Sequence, residues 1–405
     1  MSQYRPKIRN CPELRAYALE AIESARFIPA DAPLDTVSES VAASIAEPIV
    51  EPIVEPIVEP VVKSAAEPVV QSTVIGLDTE FVRERTFYPR PGLIQVFDGN
   101  RISLIDPIGR NQNNELSDLM KNTAIIKVFH SVGEDLEIMQ LVCGALPRPL
   151  FDTQIAAAML GFPLQYRYEV LVNECFGAEL AGGQARSDWC KRPLAANLLR
   201  YAASDVAWLI ELQSMLSAQL EKVGRLSWLE EDCQRLVDNA ERGDTRPALL
   251  RVKGAGQLSA QGLGWLNSLS EWRERETRLR DLPRSFVIKD DDLIKIADHA
   301  AIGQLDDALD HLHHRDRQRH GKALEAILSA PAPTPIAPPT ALQRLTPEQR
   351  SNLKSAQGKV RVLAEKLEID PALIASKREL TQLLFGDAPD WAQGWRQQFL
   401  PDILP

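Results

Sequence analysis

The stretch VIGLDTEFV at residues 74–82 has the composition of a buried β-strand, and two further β-rich runs follow it, LIQVF at 93–97 and ISLID at 102–106. The dipeptide Asp98-Gly99 between the second and third runs is a turn signal. Three antiparallel strands are therefore predicted. Because helical patterns then alternate with a further strand pattern, the sequence predicts an α/β domain with a mixed sheet and flanking helices.

The composition is that of an ordinary globular chain, with 44% hydrophobic and 25% charged residues. At 405 residues the chain is too long for one ordinary core, so two or three domains are expected. No apolar run is long enough to span a bilayer, and the N-terminal residues lack the apolar core of a secretory signal. The five cysteines form no C-x-x-C pair. We therefore expect a cytoplasmic protein with no membrane partner. A monomer is also expected.

The net charge of -10 argues at first sight against a nucleic-acid partner, because phosphate binding depends on Lys and Arg. The distribution weakens that argument. Residues 1–72 hold eleven Asp/Glu against six Lys/Arg and so supply half of the net charge, whereas residues 241–322 hold fifteen Lys/Arg against fourteen Asp/Glu. The charge balance therefore does not exclude RNA.

The repeat EPIV-EPIV-EPIV-EPVV at residues 47–62 places Pro at every fourth position, which forbids a helix and central-strand pairing. An extended, mobile linker is predicted around it. The expected order is an N-terminal part of the α/β domain (1–29), the low-complexity linker (30–72), the main α/β domain (73–220), a small all-α unit with a connecting helix (221–330), a Pro-rich linker (331–340) and a second small all-α unit (341–405). In the last unit, helical patterns cover 347–367, 377–384 and 391–399.

Asp78 and Glu80 lie two residues apart in the first strand pattern, so their carboxylates project from one face. Two like charges this close in a central strand are costly unless a cation neutralises them. For this pair alone, a solvated edge strand is the more frequent explanation.

Asp135 follows the next strand in the first turn of a helix, where an acid often only complements the helix dipole. Its neighbours Glu134 and Glu137 are assigned to the solvated face of that helix.

Tyr201 and Asp205 are four residues apart on a predicted helix and project from the same side. Taken alone, such a pair is more often a local hydrogen bond than a catalytic one. Together with the other acids, however, it completes a set of four carboxylates, the hard oxygen ligands that Mg²⁺ or Mn²⁺ prefers. Two divalent cations about 4 Å apart could then promote an in-line phosphodiester displacement. Tyr201 would orient the attacking water.

The segments LDTEF, HSVGEDLE and YAASDVAWL resemble the three exonuclease motifs of the DEDD superfamily, and the tyrosine marks its DEDDy branch. In the histidine branch a His would stand at the position of Arg200. FVRERTFYPRPGLIQVFDG, LIDP, FDTQIAA and SDWCKRPL resemble the ribonuclease D family within that branch. The resemblance implies a ribonuclease-H-like fold, the catalytic residues Asp78, Glu80, Asp135, Tyr201 and Asp205, and two cations held by the four acids. It also suggests that His130 lines the nucleotide pocket, although a hydrogen-bonded structural His is nearly as frequent.

The segment LSEWRERETRLRDLPRSFVIKDDDLIKIA resembles a helicase-and-RNase-D C-terminal (HRDC) domain, and residues 341–405 resemble a more divergent second copy. Arg273 and Arg278 are candidate phosphate contacts on one helix, but intervening glutamates make a salt-bridged, solvated helix equally plausible. Trp265 and Trp272 are assigned to the core.

Three further side chains are assigned from local patterns. Gln95 is a candidate substrate contact on the strand beside the acidic pair, and Asp152 is a candidate helix cap. The histidine-rich segment HLHHRDRQRH at 311–320 is assigned to a solvated helix end rather than a metal site.

The predicted function is a metal-dependent 3′→5′ exoribonuclease that releases nucleoside 5′-monophosphates. The resemblance implies tRNA precursors and other small structured RNAs as its substrates. Two alternatives stay open: a noncatalytic RNA-binding protein on the same fold, and a 3′→5′ DNA exonuclease with the same catalytic residues. The intact set of acids argues against the first, and only a pocket for the 2′-hydroxyl would distinguish the second.

Overall fold

The sheet that carries the acidic pair has six strands in the order β1-β4-β3-β2-β5-β6. It belongs to a computed structural model that describes residues 3–6, 12–34, 37, 39, 41–42, 73–110, 114–384 and 390–404. The strands are β1 (Arg26–Ile28), β2 (Thr73–Val82), β3 (Arg90–Phe97), β4 (Ile102–Ile105), β5 (Ile125–Phe129) and β6 (Leu150–Asp152). The three predicted antiparallel strands are β2, β3 and β4, and the other pairings are parallel, so the predicted mixed sheet is confirmed.

Strand β2 is central because both of its neighbours hydrogen-bond to it and its apolar side chains are covered. Ile75 and Leu77 are completely buried. The helices of this domain are α1 (Pro12–Glu23), α2 (Asn114–Lys121), α3 (Asp135–Cys143), α4 (Thr153–Met159), α5 (Tyr168–Phe176), α6 (Ala196–Val206) and α7 (Leu209–Lys222). Asp152 caps α4 as predicted, since its side chain accepts hydrogen bonds from the backbone N–H groups of Gln154 and Ile155.

The predicted start of the linker at residue 30 is wrong. Leu34, Val37 and Val41 are buried in the core of the α/β domain, with 1%, 4% and 2% of their surfaces exposed. Buried apolar side chains fix a chain segment against the domain, so these three residues belong to the domain rather than to a linker. The EPIV repeat lies outside the described residues. Within the described part of the chain, no helix has the length and apolar character needed to cross a membrane.

The first helical unit has a core of its own. Helix α8 (Leu226–Arg242) connects it to the sheet domain, and its own helices are α9 (Ala260–Arg280), α10 (Arg284–Val287), α11 (Asp290–Ala301) and α12 (His314–Leu328). Trp265 and Trp272 are buried in this core, as predicted.

The Pro-rich segment after the first unit is docked on that unit. The backbone N–H of Ile336 donates to the carbonyl of Ala260 at 2.9 Å, and the Gln261 amide donates to the carbonyl of Pro333 at 3.0 Å. A Cβ atom at Gly264 would lie 2.7 Å from the carbonyl oxygen of Thr334. The segment therefore follows a fixed path along the start of α9.

The second helical unit contains α13 (Pro347–Leu367), α14 (Pro371–Ile374), α15 (Lys377–Leu384) and α16 (Leu400–Ile403). The predicted helices at 347–367 and 377–384 are confirmed. The helix predicted at 391–399 is wrong, because the chain forms 3₁₀ turns at Asp390–Ala392 and Gly394–Phe399 instead. Gly394 interrupts the helix with a φ of +66°, a conformation that Gly adopts readily.

The second unit shares its core with the sheet domain rather than forming a separate one. Trp395 stacks on Trp228 of α8 with ring centroids 4.5 Å apart. Arg225 donates to the carbonyls of Met159 at 2.6 Å and Leu367 at 2.8 Å, which joins the sheet domain to the end of α13. The two helical units that look alike in sequence are therefore attached in different ways.

Candidate active site

Asp78 and Glu80 lie in the second half of β2, on the side of the strand that the α6–α7 junction covers. Gly76 allows this close approach, since a Cβ atom there would lie 3.1 Å from Cβ of Leu209 and 3.2 Å from the carbonyl oxygen of Val206. A side chain at residue 76 would push the junction away. The same approach brings the end of α6 over the acidic pair.

Asp205, next to that junction on α6, joins the pair. Asp78, Glu80 and Asp205 each offer one carboxylate oxygen, and these oxygens all lie within 4.8 Å of one another. Tyr201, one turn earlier on α6, brings its phenol close enough to Asp205 for the hydroxyl to lower the pKa of that carboxyl. Residues from a strand and from a helix more than 120 positions later thus converge as the sequence predicts.

Asp135 lies beside this group but is not part of it. Its Oδ1 accepts a hydrogen bond from Thr79 Oγ1 at 2.5 Å, which fixes the first turn of α3 against β2. Its charge still raises the pKa of both Asp78 and Glu80, after the larger effect of burial. The structure therefore brings three of the four predicted acids together and keeps the fourth alongside them.

Glu134 and Glu137 flank Asp135 in sequence but pair with a surface cation. Both carboxylates form salt bridges with Arg83, on the loop that follows β2. Their assignment to the solvated side of α3 is confirmed.

The four acids are protonated more easily than ordinary carboxyl groups. Burial raises the pKa of Glu80 to about 9, with the charges of Asp205 and Asp135 adding to the effect. Burial also raises the pKa of Asp135 and of Asp205 to about 7, and that of Asp78 well above its usual range. No Lys or Arg of the described residues forms a salt bridge with any of them. Buried, mutually repelling oxygen donors without a cationic side chain fit a site for divalent cations.

Comparison with known proteins decides the family. A family model described as a 3′-5′ exonuclease matches residues 59–221. A Ribonuclease D from Shewanella sp. (strain ANA-3) is 35% identical over 344 residues, covering 82% of this chain and 88% of that protein. The chain belongs to the ribonuclease D family. The Ribonuclease D of Escherichia coli (strain K12) is 34% identical over 84% of this chain and 94% of that protein.

The fold agrees with this family. The crystal structure of Escherichia coli RNase D, an exoribonuclease involved in structured RNA processing, matches with a TM-score of 0.77 and 30% identity. The match covers 93% of this chain and 96% of that chain. This member of the ribonuclease D family therefore has a ribonuclease-H-like core followed by an all-helical C-terminal part, and it is a 3′→5′ exoribonuclease.

In this exoribonuclease, both ring nitrogens of His130 are engaged by protein atoms. Nδ1 lies 2.8 Å from Oγ1 of Thr153, and Nε2 lies 2.8 Å from the carbonyl oxygen of Tyr166. The ring also packs edge-on against Tyr168, with centroids 5.5 Å apart. Neither nitrogen is left to contact a nucleotide, so the geometry favours the structural alternative for His130.

Gln95 faces the site but is closed off from substrate. It pairs with Asp78 across β2 and β3, which puts both side chains on the same side of the sheet. It is 0% exposed, and neither atom of its amide group has a hydrogen-bond partner among the described residues. Direct contact between Gln95 and a nucleotide is therefore excluded by burial, and the predicted substrate contact is wrong.

The predicted phosphate contact at Arg273 is also wrong. Its side chain is 1% exposed, and Nη1 donates to Asp290 Oδ1 at 2.6 Å and to the carbonyl of Ile288 at 3.2 Å. The alternation of Arg and Glu along α9 did not reveal this partner, because it comes from α11. Arg278 is 44% exposed and pairs with Glu274 at 3.0 Å, so it keeps surface that substrate could reach.

The histidine-rich segment is only partly solvated. His320 is 2% exposed, and its ring packs edge-on against Trp272 with centroids 5.4 Å apart. The assignment to a solvated helix end is wrong for this residue, because α12 turns it into the core of the first helical unit.

Two features near the acids were not singled out from the sequence. The hydroxyl of Thr79, on the strand between Asp78 and Glu80, donates to Asp135. Trp189 is fully buried with its ring centroid 6.1 Å from that of Tyr201. The available signal was the segment SDWCKRPL, which resembles the family, but nothing in its own pattern indicates that it packs against Tyr201.

Proposed function

We propose that this exoribonuclease uses two divalent cations, Mg²⁺ or Mn²⁺, held by Asp78, Glu80 and Asp205 with Asp135 beside them. The observation that supports this is the group of three carboxylate oxygens within 4.8 Å of one another, in which Glu80 is buried and Asp78 and Asp205 are partly buried. Carboxylates in such a group repel each other in a low-dielectric site, and small hard cations relieve that repulsion. When bound, such cations activate a water and stabilise the departing 3′-oxygen.

Tyr201 acts in this proposal as a hydrogen-bond donor. Burial and the charges of Asp205, Glu80 and Asp78 raise the pKa of its phenol above the usual value near 10. The phenol therefore stays protonated at neutral pH and is a poor base. It can hold Asp205 and orient the attacking water, which is the role expected from the sequence.

The body of the RNA is proposed to bind in a cleft beside the acids. This cleft of about 1360 Å³ separates the sheet domain and α8 from the first helical unit, and Arg83, Lys253, Arg278 and Lys289 line it. It reaches Gly133, two residues before Asp135. Lys253 and Lys289 are exposed and form no ion pair within the described part of the chain. Cations that are free to meet phosphates supply most of the affinity for RNA.

Structured RNAs with 3′ extensions, tRNA precursors among them, are the proposed substrates. Support comes from the Escherichia coli relative, an exoribonuclease involved in structured RNA processing. The helical units are proposed as HRDC-type modules that bind the folded part of such RNAs. The cytoplasmic location and the monomeric state stay predictions from the sequence.

The test measures release of nucleoside 5′-monophosphates from 3′-labelled RNA and from a matched DNA oligonucleotide, with Mg²⁺ or Mn²⁺. We expect Asp205→Asn, like EDTA, to lower the rate on RNA by about a thousand-fold, because the site supplies several kcal/mol of charge stabilisation. We expect the Asp205→Asn variant to bind RNA as the original chain does.

Asp238→Asn, at a half-exposed carboxylate on α8, serves as the control and is expected to leave the rate unchanged. Undiminished trimming in EDTA would contradict the cation mechanism. Faster digestion of DNA than of RNA would contradict the proposed substrate.

A further inference from the structure

The segment that carries Trp189 packs against the ring of Tyr201. The indole is completely buried, and its ring lies 6.1 Å from the phenol ring at an interplanar angle of 37°. The indole N–H has no hydrogen-bond partner among the described residues. The contact with Tyr201 is therefore one of ring packing rather than hydrogen bonding.

A bulge in β3 makes room for the segment that carries Trp189. Glu80 pairs with Leu93 and Phe81 pairs with Pro91, so Gly92 is the extra residue between them. A Cβ atom at Gly92 would lie 2.6 Å from Cβ of Trp189 and 2.8 Å from its carbonyl oxygen. Because part of this approach is to backbone, a side chain at position 92 would displace the whole segment. The position of Trp189 is thus tied to the strand that pairs with Glu80.

Arg192 fixes the segment from its other end. It donates to the carbonyls of Trp189 at 2.8 Å and Gly92 at 2.7 Å. It also binds both carboxylate oxygens of Asp106 at 2.6 Å each, in the bidentate arrangement that holds an Arg side chain in one geometry. We call these contacts of Arg192 with Asp106, Gly92 and Trp189 the clamp. Because Asp106 directly follows β4, the clamp ties Trp189 to a second strand of the sheet.

We propose that Trp189 is a positioning residue for Tyr201. The clamped ring holds the phenol in the rotamer that places its hydroxyl beside Asp205. Without the ring, the Tyr201 side chain gains space to rotate away from the acids. Displacements near 1 Å at a reacting centre cost up to about a hundred-fold in rate. The inference rests on the proposed role of Tyr201 in orienting water.

The test is a double-mutant cycle between Trp189 and Tyr201, with kcat and KM measured on 3′-labelled RNA. We expect Trp189→Leu to lower kcat by about thirty-fold at nearly constant KM, since only the reacting geometry is disturbed. Trp189→Phe keeps a ring and loses only the unpartnered N–H, so its kcat stays within about three-fold of the original. In a Tyr201→Phe background, Trp189→Leu causes no further loss.

A second variant removes the clamp and keeps the ring. Arg192→Gln is expected to lower kcat in the same way and to be silent in the Tyr201→Phe background. It keeps the inference testable if Trp189→Leu does not fold. Trp272→Leu, in the separate core of the first helical unit, is the matched control: it lowers the thermal midpoint without changing kcat per folded molecule.

Two failures have different meanings. If Tyr201→Phe is fully active, the proposed role of Tyr201 fails. If Tyr201→Phe is impaired but losses from Trp189→Leu add to it in full, Tyr201 keeps its role and the positioning by Trp189 is overturned. A rise in KM at constant kcat would overturn it as well.

Discussion

Buried acids occur in two contrasting regions of this molecule. At the end of β2, Asp78, Glu80 and Asp205 lie together without a cationic partner among the described residues. In the helical part, Glu274 is as buried as Glu80 but is surrounded by Arg251, Arg278 and Arg284. Burial acts to raise the pKa of Glu274, but the hydrogen bond and charge of Arg284 and the other arginines outweigh it and the pKa is lowered.

The comparison shows that burial of a carboxylate does not by itself indicate catalysis. An acid that folding has already paired with arginine is neutralised and serves the structure. An acid that folding leaves unneutralised next to other acids is held at a cost in stability, and that cost falls when the acid is protonated or a cation binds. The pKa directions separate the two kinds of site.

Breaking a neutralised pair gives the largest expected effect on stability. Asp232, on α8, is 5% exposed and accepts from both terminal nitrogens of Arg396, which is 7% exposed. Asp232→Asn leaves the guanidinium buried without a counter-charge, so we expect a loss of about 3–5 kcal/mol in the free energy of unfolding. Urea denaturation measures it. Asp238→Asn, on the same helix at a pair with Arg148, is the control and should lose less than about 1 kcal/mol. Similar losses in both variants would remove the distinction.

The unneutralised acids predict an unusual dependence of stability on pH. The pKa of Asp205 is about 7 in the folded chain and near 4 when unfolded, so the folded state binds more protons between these values. Stability contributed by this group is therefore present at low pH and is lost as the pH rises through 7. In EDTA, we expect the free energy of unfolding to fall between pH 5 and 8 by about 2 kcal/mol more than that of Asp205→Asn. Added Mg²⁺ should abolish this difference, and equal pH slopes in EDTA would contradict the prediction.

The convergence of Tyr201 with three of the acids was predictable because each residue lies in a local pattern with a fixed geometry. A strand alternates its faces, which placed Asp78 and Glu80 together, and a helix repeats every turn, which placed Tyr201 beside Asp205. The same argument predicted the central strands and the helices at 347–367 and 377–384. It failed at residues 391–399, where a single Gly394 ended the helical pattern.

Features that depend on partners far along the chain were not predictable. Arg273 looked like a phosphate contact because Asp290, which binds it, belongs to another helix. Trp189 gave no sign of its place behind Tyr201, since Gly92 and Asp106 lie about 80 to 100 residues away in sequence. Periodicity likewise identified the helices of the second helical unit, but it did not indicate which core they share.

The smallest expected effect on stability concerns Gln95, a buried polar side chain that tests the same comparison. Its amide is buried beside Asp78 without a partner among the described residues, so it resembles the unneutralised acids: folding alone does not satisfy it. Replacing an unsatisfied buried amide by an apolar group of similar shape removes a penalty, and we expect Gln95→Leu to gain about 1 kcal/mol in the free energy of unfolding.

Gln154→Leu provides the contrast to this gain, because the Gln154 amide donates to the carbonyl of Tyr166 at 3.0 Å. That substitution should lower stability.

If the Gln95 amide orients Asp78 or a water beside it, Gln95→Leu should also slow RNA trimming by about ten-fold, the usual effect of removing an outer partner of a metal ligand. A stabilised variant with full activity would show that Gln95 lowers the stability of the fold and has no role in RNA trimming. A destabilised variant would show that the amide has a partner in the folded chain, and the comparison with the acids would fail at this position.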